Sequence, residues 1–468
     1  MRILFIVYDN ASYISSFPIG IAMLTAVLEN AGHHVDIYQQ DINHWPAAHL
    51  AAYLAEHEYD LVGLSFIGGY WQYRKAIEIA GVVNADARRR KTGKPYFVLG
   101  GHGPAPEPEF FLKKLGADIV CIGEGEKTIL ELCDALESSV PALGAIQGIA
   151  WRSGDDVTIN ERRPLIKNID SLPFPAYHRF PVEIYRLARF PHVSHTDFVM
   201  EMLSGRGCTF RCNFCYRMDK GFRPRSNEAI IDEIRFLKQR YDISYIAFFD
   251  ELLMSSVERT ASLCEDMLRS NLDIRWECNG RLNYATPDLL QLMRRAGCVF
   301  INYGIESFDD RILRVMHKGL TTGQIERGIQ ATLASGISPG LNIIFGNIGE
   351  NRETLQKGVD FLLKYDDGAQ LRTIRPVTPY PGCELYHIAL ERGLIRDCED
   401  FYENKHTNSD LMAVNFTQLS DDEFYEALYE ANAALLENYR RRSAQIAEQT
   451  LDRLYRKRDA SFRGFRHA

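Results

Sequence analysis

The chain has 468 residues, 46% hydrophobic and 25% charged, which is the make-up of an ordinary soluble protein with enough length for two or three domains. A formal net charge of −8 and a pI near 5.9 argue against wholesale binding of nucleic acid or of an anionic membrane surface. No apolar run approaches a membrane span, and the apolar start at residues 2–8 is too short for a signal-peptide core before Asp9-Asn10 breaks it.

Residues 1–140 read as alternating strands and helices. The apolar run 3–7 suits a buried parallel strand, and 18–31 has helical spacing that stops at Gly32. Further strands are expected at 35–38, 60–65, 96–99 and 118–122, with helix-length segments between them. That alternation predicts a doubly wound parallel sheet with ligands at the carboxyl ends of its strands. Ser65 ends the third strand, Gly100-Gly101 follow the fourth and Gly123-Glu124-Gly125 the fifth, where glycines let a ligand approach the backbone. Residues 141–195 read as a linker without chemistry: a β-hairpin around Ser153-Gly154, then the proline-stiffened run Leu172-Pro-Phe-Pro-Ala176.

A second alternating series fills 196–395. Strands are expected at 198–203, 245–249, 274–279, 300–304, 341–345 and 371–375, and Ser226 is placed to cap the first helix. Polar or glycine residues close each strand, as in a parallel α/β barrel with its site at one mouth. Between the first strand and that helix lies Cys208-Thr-Phe-Arg-Cys212-Asn-Phe-Cys215. Three thiolates at this spacing are one short of a closed site, so a [4Fe–4S] cluster held by them keeps one iron open. The other seven cysteines show no paired spacing; they read as reduced thiols of a cytoplasmic protein and provide no auxiliary cluster. Residues 396–468 are polar and helix-prone, with apolar residues at helical spacing over 421–459. Arg440-Arg-Arg442 and Arg456-Lys-Arg458 there read as a solvated helical face.

The cysteine run resembles the CxxxCxxC loop of the radical S-adenosylmethionine (SAM) enzymes, and six strand units suit their partial (β/α)6 barrel. The segments Pro18-Ile-Gly-Ile-Ala-Met-Leu24, Ala31-Gly32-His33, Leu99-Gly-Gly-His102 and Ile122-Gly-Glu-Gly-Glu126 resemble the cobalamin (B12)-binding domain of the B12-dependent members. The resemblance implies a [4Fe–4S] cluster on Cys208, Cys212 and Cys215, and SAM contacts from Phe214, Arg225, Asp250, Glu251, Arg281, Glu306 and Asn342. It implies cobalamin contacts from Ser65, Gly100, Gly101, Gly123, Glu124 and Gly125. Where many cobalamin domains carry Asp-x-His-x-x-Gly, this chain reads Asp41-Ile-Asn43-His44-Trp45-Pro46, so no histidine is expected beneath cobalt. Departures at Gly346-Asn347-Ile348-Gly349-Glu350-Asn351 and Pro381-Gly382-Cys383 are expected where substrate enters. The implied activity is methyl transfer through methylcobalamin and a 5′-deoxyadenosyl radical to an unactivated carbon or phosphorus of a small molecule. An external one-electron donor such as flavodoxin or ferredoxin is implied as partner. Two other readings are a radical oxidation or cyclisation with cobalamin as electron shuttle, like that of the anaerobic porphyrin cyclases, and an iron–sulfur/B12 redox sensor. The SAM-contact set weighs against the sensor, which has no use for Asp250 or Glu306.

Overall fold

Seven strands form the first sheet of the computed structural model, which describes residues 1–11, 16–90, 95–138, 141–154 and 156–462. They are β1 (Arg2–Val7), β2 (His34–Gln39), β3 (Leu61–Ser65), β4 (Tyr96–Gly100), β5 (Ile119–Cys121), β6 (Ile149–Ser153) and β7 (Asp156–Ile159), in the order β2-β1-β3-β4-β5-β6-β7. The first five are parallel; β1, β3, β4 and β5 are largely buried and read as apolar runs, whereas β2 at the sheet edge is half-exposed and mixes polar residues into its sequence. Their order reverses between β1 and β3, and a crevice opens at the carboxyl ends there. The hairpin β6–β7, expected in a free-standing linker, pairs antiparallel with β5 and extends this sheet. The expected boundary at residue 140 lies outside the described residues.

After a two-residue ladder of β9 (Gly205–Arg206) with β10 (Arg223–Pro224), the second sheet continues from β8 (Val199–Met202) through β11 (Tyr245–Phe248), β12 (Arg275–Gly280), β13 (Cys298–Glu306), β14 (Ser338–Phe345) and β15 (Ile374–Pro376). All six are parallel, in chain order, as a partial (β/α)6 barrel requires. Ser226 caps the helix Asn227–Tyr241, its side chain accepting from the Ala229 N–H at 3.1 Å. The last strand starts at Ile374 instead of 371, because Arg372 turns inward to donate to Asp367 and to the Pro339 carbonyl at 2.9 and 3.0 Å.

One apolar core runs through both units. Ile3, Phe5 and Val35 on one face of the first sheet join Met200, Ile246 and Ile301 of the second. Leu4, Val62 and Phe97 on the opposite face pack with Leu385, Phe401 and Phe416, so residues 384–416 close over the N-terminal domain. The long helix Asp421–Leu451 buries Phe424, Leu428 and Leu435, with Phe424 stacked 4.8 Å from Phe345 at the end of β14. The two carboxyl mouths consequently open onto one shared space.

Candidate active site

That space is a cavity of about 700 Å³. Cys208, Cys212 and Cys215 line it from the barrel side, together with Asp250, Glu251, Arg281, Glu306 and Asn342. Ser65, Gly100, Gly101, Gly123, Glu124 and Gly125 line it from the N-terminal sheet. Two candidate residues stand outside it. Arg225 is turned into the barrel wall, donating to Glu233 and to the Leu203 carbonyl at 3.0 Å. Phe214 packs against the core shared by the first sheet and residues 384–416, whereas Phe210 of the same loop lines the cavity.

The cysteine loop is stitched at both ends and from behind. β9 and β10 close its roots, and Cys208 bridges to Lys220. Asn213, between the second and third cysteines, is 2% exposed and fully engaged. Its N–H donates to the Met316 carbonyl at 3.0 Å, its carbonyl accepts from Leu385 N–H at 2.9 Å, and its amide exchanges two hydrogen bonds with Asn347 at 3.2 and 3.0 Å. Gly382, at φ +89°, gives room to the Tyr216 ring that follows Cys215. Asn347 and Gly382, one in each departing segment, therefore support the cysteine loop from behind, and neither segment lines the cavity.

The thiols suit a cluster. Cys212 and Cys215 share a hydrogen bond that draws Cys212 down and Cys215 up; burial raises both, and the charges of Lys318 and Arg281 favour the Cys212 thiolate. Among the described residues no trio of His, Cys, Asp or Glu converges on a single ion. A four-iron cluster needs no such convergence, since each thiolate takes its own iron.

At the strand ends, the Asp250 carboxylate is buried and already satisfied: it accepts from Ser204 N–H at 2.9 Å and from Ser204 Oγ at 2.7 Å. Burial pushes it up to about 6. It ties β11 to β8, which leaves Glu251, accepting from Gly207 N–H at 3.2 Å, as the neighbouring carboxylate open to a ligand ammonium. Glu306 ends β13 at φ +67°, after a register shift against β14, a conformation that a non-glycine residue holds only where its surroundings enforce it. Its carboxylate accepts from Lys318 Nζ at 2.9 Å. Arg281 lies 3.4 Å above the Phe210 ring centroid and also donates to the Lys318 carbonyl.

Sequence reasoning missed Lys318, Asn279, Asn302 and Arg206. The three asparagines Asn342, Asn302 and Asn279 form a ladder across β14, β13 and β12. Each donates to the next, at 2.7 and 3.0 Å, and Asn279 donates to the Asp250 carbonyl at 3.0 Å. Their common place near the carboxyl ends of successive strands was the available signal.

On the N-terminal side, a Cβ added at Gly100 or Gly123 would meet nothing within 4 Å, so backbone faces the cavity there. Gly101, at φ +92°, is packed instead, its missing Cβ falling 2.7 Å from the Phe66 carbonyl oxygen. This backbone cradle fits a broad ligand such as cobalamin. Glu124 belongs to the protein's own framework: it holds Arg206, Arg223 and the Ile166 N–H, and although burial opposes ionisation these donors keep its carboxyl below the usual range. His44 is absent from the cavity wall and pairs with Asp9 at 2.9 Å.

Comparison with known proteins is consistent with this arrangement. The Radical SAM superfamily model matches residues 202–362 and the B12 binding domain model residues 10–133. The chain is 30% identical over 385 residues to a protein of Pyrococcus horikoshii described as an uncharacterized methyltransferase, covering 81% of this chain and 79% of that one. It is 25% identical over 351 residues to the anaerobic magnesium-protoporphyrin IX monomethyl ester cyclase of Rubrivivax gelatinosus, covering 73% of this chain and 60% of that enzyme. Its fold matches that of the radical SAM methyltransferase TsrM of Kitasatospora setae, a structure with cobalamin and a [4Fe–4S] cluster bound. That match has a TM-score of 0.71 at 19% identity and covers 93% of this chain and 88% of that one.

Proposed function

This chain belongs to the B12-binding radical SAM enzymes, and from that premise we propose that it methylates an unactivated carbon or phosphorus centre of a small molecule. The observation that carries the reading is the single cavity shared by the three cysteines and the glycine turns of the N-terminal sheet. When bound there, the cluster, SAM and cobalamin supply radical chemistry and a methyl carrier.

The residues supply position and charge. Cys208, Cys212 and Cys215 would hold the cluster. Lys318 and Arg281 place positive charge beside Cys212 and favour its thiolate. Glu251 would take the ammonium of SAM, and Glu306, braced by Lys318, would take its ribose hydroxyls. Asn342 presents its amide to whatever lies between the two halves, while the ladder behind it keeps that amide oriented. Ser65, Gly100, Gly101, Gly123 and Gly125 would form the cobalamin wall. The two domains wall the cavity from both sides, and the water that a bound ligand displaces there would strengthen each electrostatic contact inside. An external one-electron donor such as flavodoxin or ferredoxin would complete the system. Among the described residues no helix is long and apolar enough to cross a membrane.

The test is anaerobic incubation of reconstituted protein with a reductant, methyl-labelled SAM and candidate small molecules, followed by mass spectrometry. A product carrying the labelled methyl group supports the reading. Product oxidised or cyclised without label would favour the electron-shuttle reading, for which the cyclase relative speaks.

A further inference from the structure

Arg206 and Arg223 face each other directly across the β9–β10 ladder, at the two roots of the loop that carries all three cysteines. Like charges at directly opposed positions of an antiparallel pair repel. Here a carboxylate from the other domain stands between them. Glu124 Oε1 accepts from Arg206 Nη1 at 2.7 Å and from Arg223 Nη1 at 2.9 Å. Its Oε2 accepts from Arg223 Nη1 at 3.0 Å and from the Ile166 N–H at 2.7 Å. Glu126 adds a second carboxylate to Arg206, and Asp219 a weaker one to Arg223 at 3.7 Å. The Glu124 side chain is 6% exposed, Arg206 16% and Arg223 17%, so the cluster is largely shielded from solvent.

Glu124 also sits between Gly123, at φ +95°, and Gly125, both walls of the cavity. One three-residue turn thus bounds the N-terminal half of the site with its backbone and holds both roots of the cysteine loop with its side chain. A ligand that presses on the glycines bears on the same turn that sets the loop.

We propose that Glu124 is a positioning residue that couples cobalamin binding to SAM binding, through the salt-bridged roots of the cysteine loop. The proposal rests on the reading that cobalamin lies against Gly123 and Gly125. Coupling of this kind is reciprocal: whatever factor cobalamin adds to SAM affinity, SAM adds to cobalamin affinity.

The experiment measures SAM dissociation constants anaerobically in cobalamin-loaded and cobalamin-free protein, both with the cluster installed. Wild-type protein should bind SAM on the order of tenfold more tightly when loaded. In Glu124→Gln the two constants should converge to within about twofold, with iron per chain unchanged; a merely structural loss would raise both and keep their ratio. Arg206→Lys, which keeps the charge, should retain more of the ratio than Glu124→Gln. If Glu124→Gln cannot hold its cluster, Glu126→Gln, which removes only the second carboxylate, should lower the ratio partway. A Glu124→Gln protein with the wild-type ratio, an unchanged ratio in Glu126→Gln, or a wild-type protein that binds both ligands independently would overturn the proposal. A wild-type protein that binds neither ligand would instead overturn the proposed function.

Discussion

Replacing Asn347 with leucine isolates the support behind the cysteine loop. Asn347 is fully buried, and its amide oxygen accepts from Asn213 Nδ2 at 3.2 Å and from the Ile348 N–H at 2.7 Å. Leucine has nearly the same shape but neither donates nor accepts. Asn213 Oδ1 and the Ile348 N–H would be left unpaired, while Asn213 Nδ2 keeps its bond to the Val315 carbonyl at 3.1 Å. Each orphaned buried group costs about 1–3 kcal/mol, so with two of them the variant should lose about 2–6 kcal/mol of stability. The assay is denaturant unfolding of anaerobically reconstituted protein, paired with the rate of iron loss to a chelator. The double variant Asn213→Leu/Asn347→Leu should cost less than the sum of the single changes, by about 0.5–3 kcal/mol, because removing both partners leaves fewer unpaired groups. A single variant within about 0.5 kcal/mol of wild type, with unaltered iron retention, would refute the reasoning.

Four further outcomes are expected. Cys208→Ala, Cys212→Ala and Cys215→Ala should each lose most of the roughly four irons per chain and all 5′-deoxyadenosine formation, read by iron assay and chromatography. Glu306→Ala should weaken SAM binding about tenfold or more with iron content unchanged, because a charge-assisted hydrogen bond is worth about 1.5–3 kcal/mol. Gly101→Leu should fail to load cobalamin, since its Cβ would fall 2.7 Å from the Phe66 carbonyl oxygen, whereas His44→Ala should leave cobalamin content and spectrum unchanged. Glu350 is raised to about 8 by burial, so its folded pKa lies above its unfolded value near 4.3 and its contribution to stability falls as pH rises between those values. Glu350→Gln should flatten that decline in unfolding measured from pH 5 to 8, while its amide oxygen still accepts the Gly346 and Asn347 N–H groups.

The strands of both sheets and the cysteine loop were legible because their signals are local: apolar runs of strand length, a cap at Ser226, a fixed cysteine spacing. Lys318 carries no such signal. It follows a short helix, and only the fold brings it to Glu306 across twelve residues. Arg225 looked available beside the cysteine loop, but Glu233 on the next helix, eight residues on, claims it. Asp250 reads as a SAM contact from its place at a strand end, and its burial with Ser204 carries no signal in the sequence. The segment 346–351 departs from the family pattern, which suggests a place where substrate enters, but Asn347 has a supporting role there that the sequence does not show. Its burial against Asn213 is a pairing across 134 residues, visible only once the barrel closes.

The central claim is that the cysteines and the glycine turns serve one cavity. Electron paramagnetic resonance of protein holding both a reduced cluster and Co(II) cobalamin tests it most directly. The account predicts that the two signals are mutually broadened or split, and that the Co(II) signal reverts to its isolated form in Cys215→Ala. Two unperturbed, independent spectra from a chain carrying both groups would contradict it.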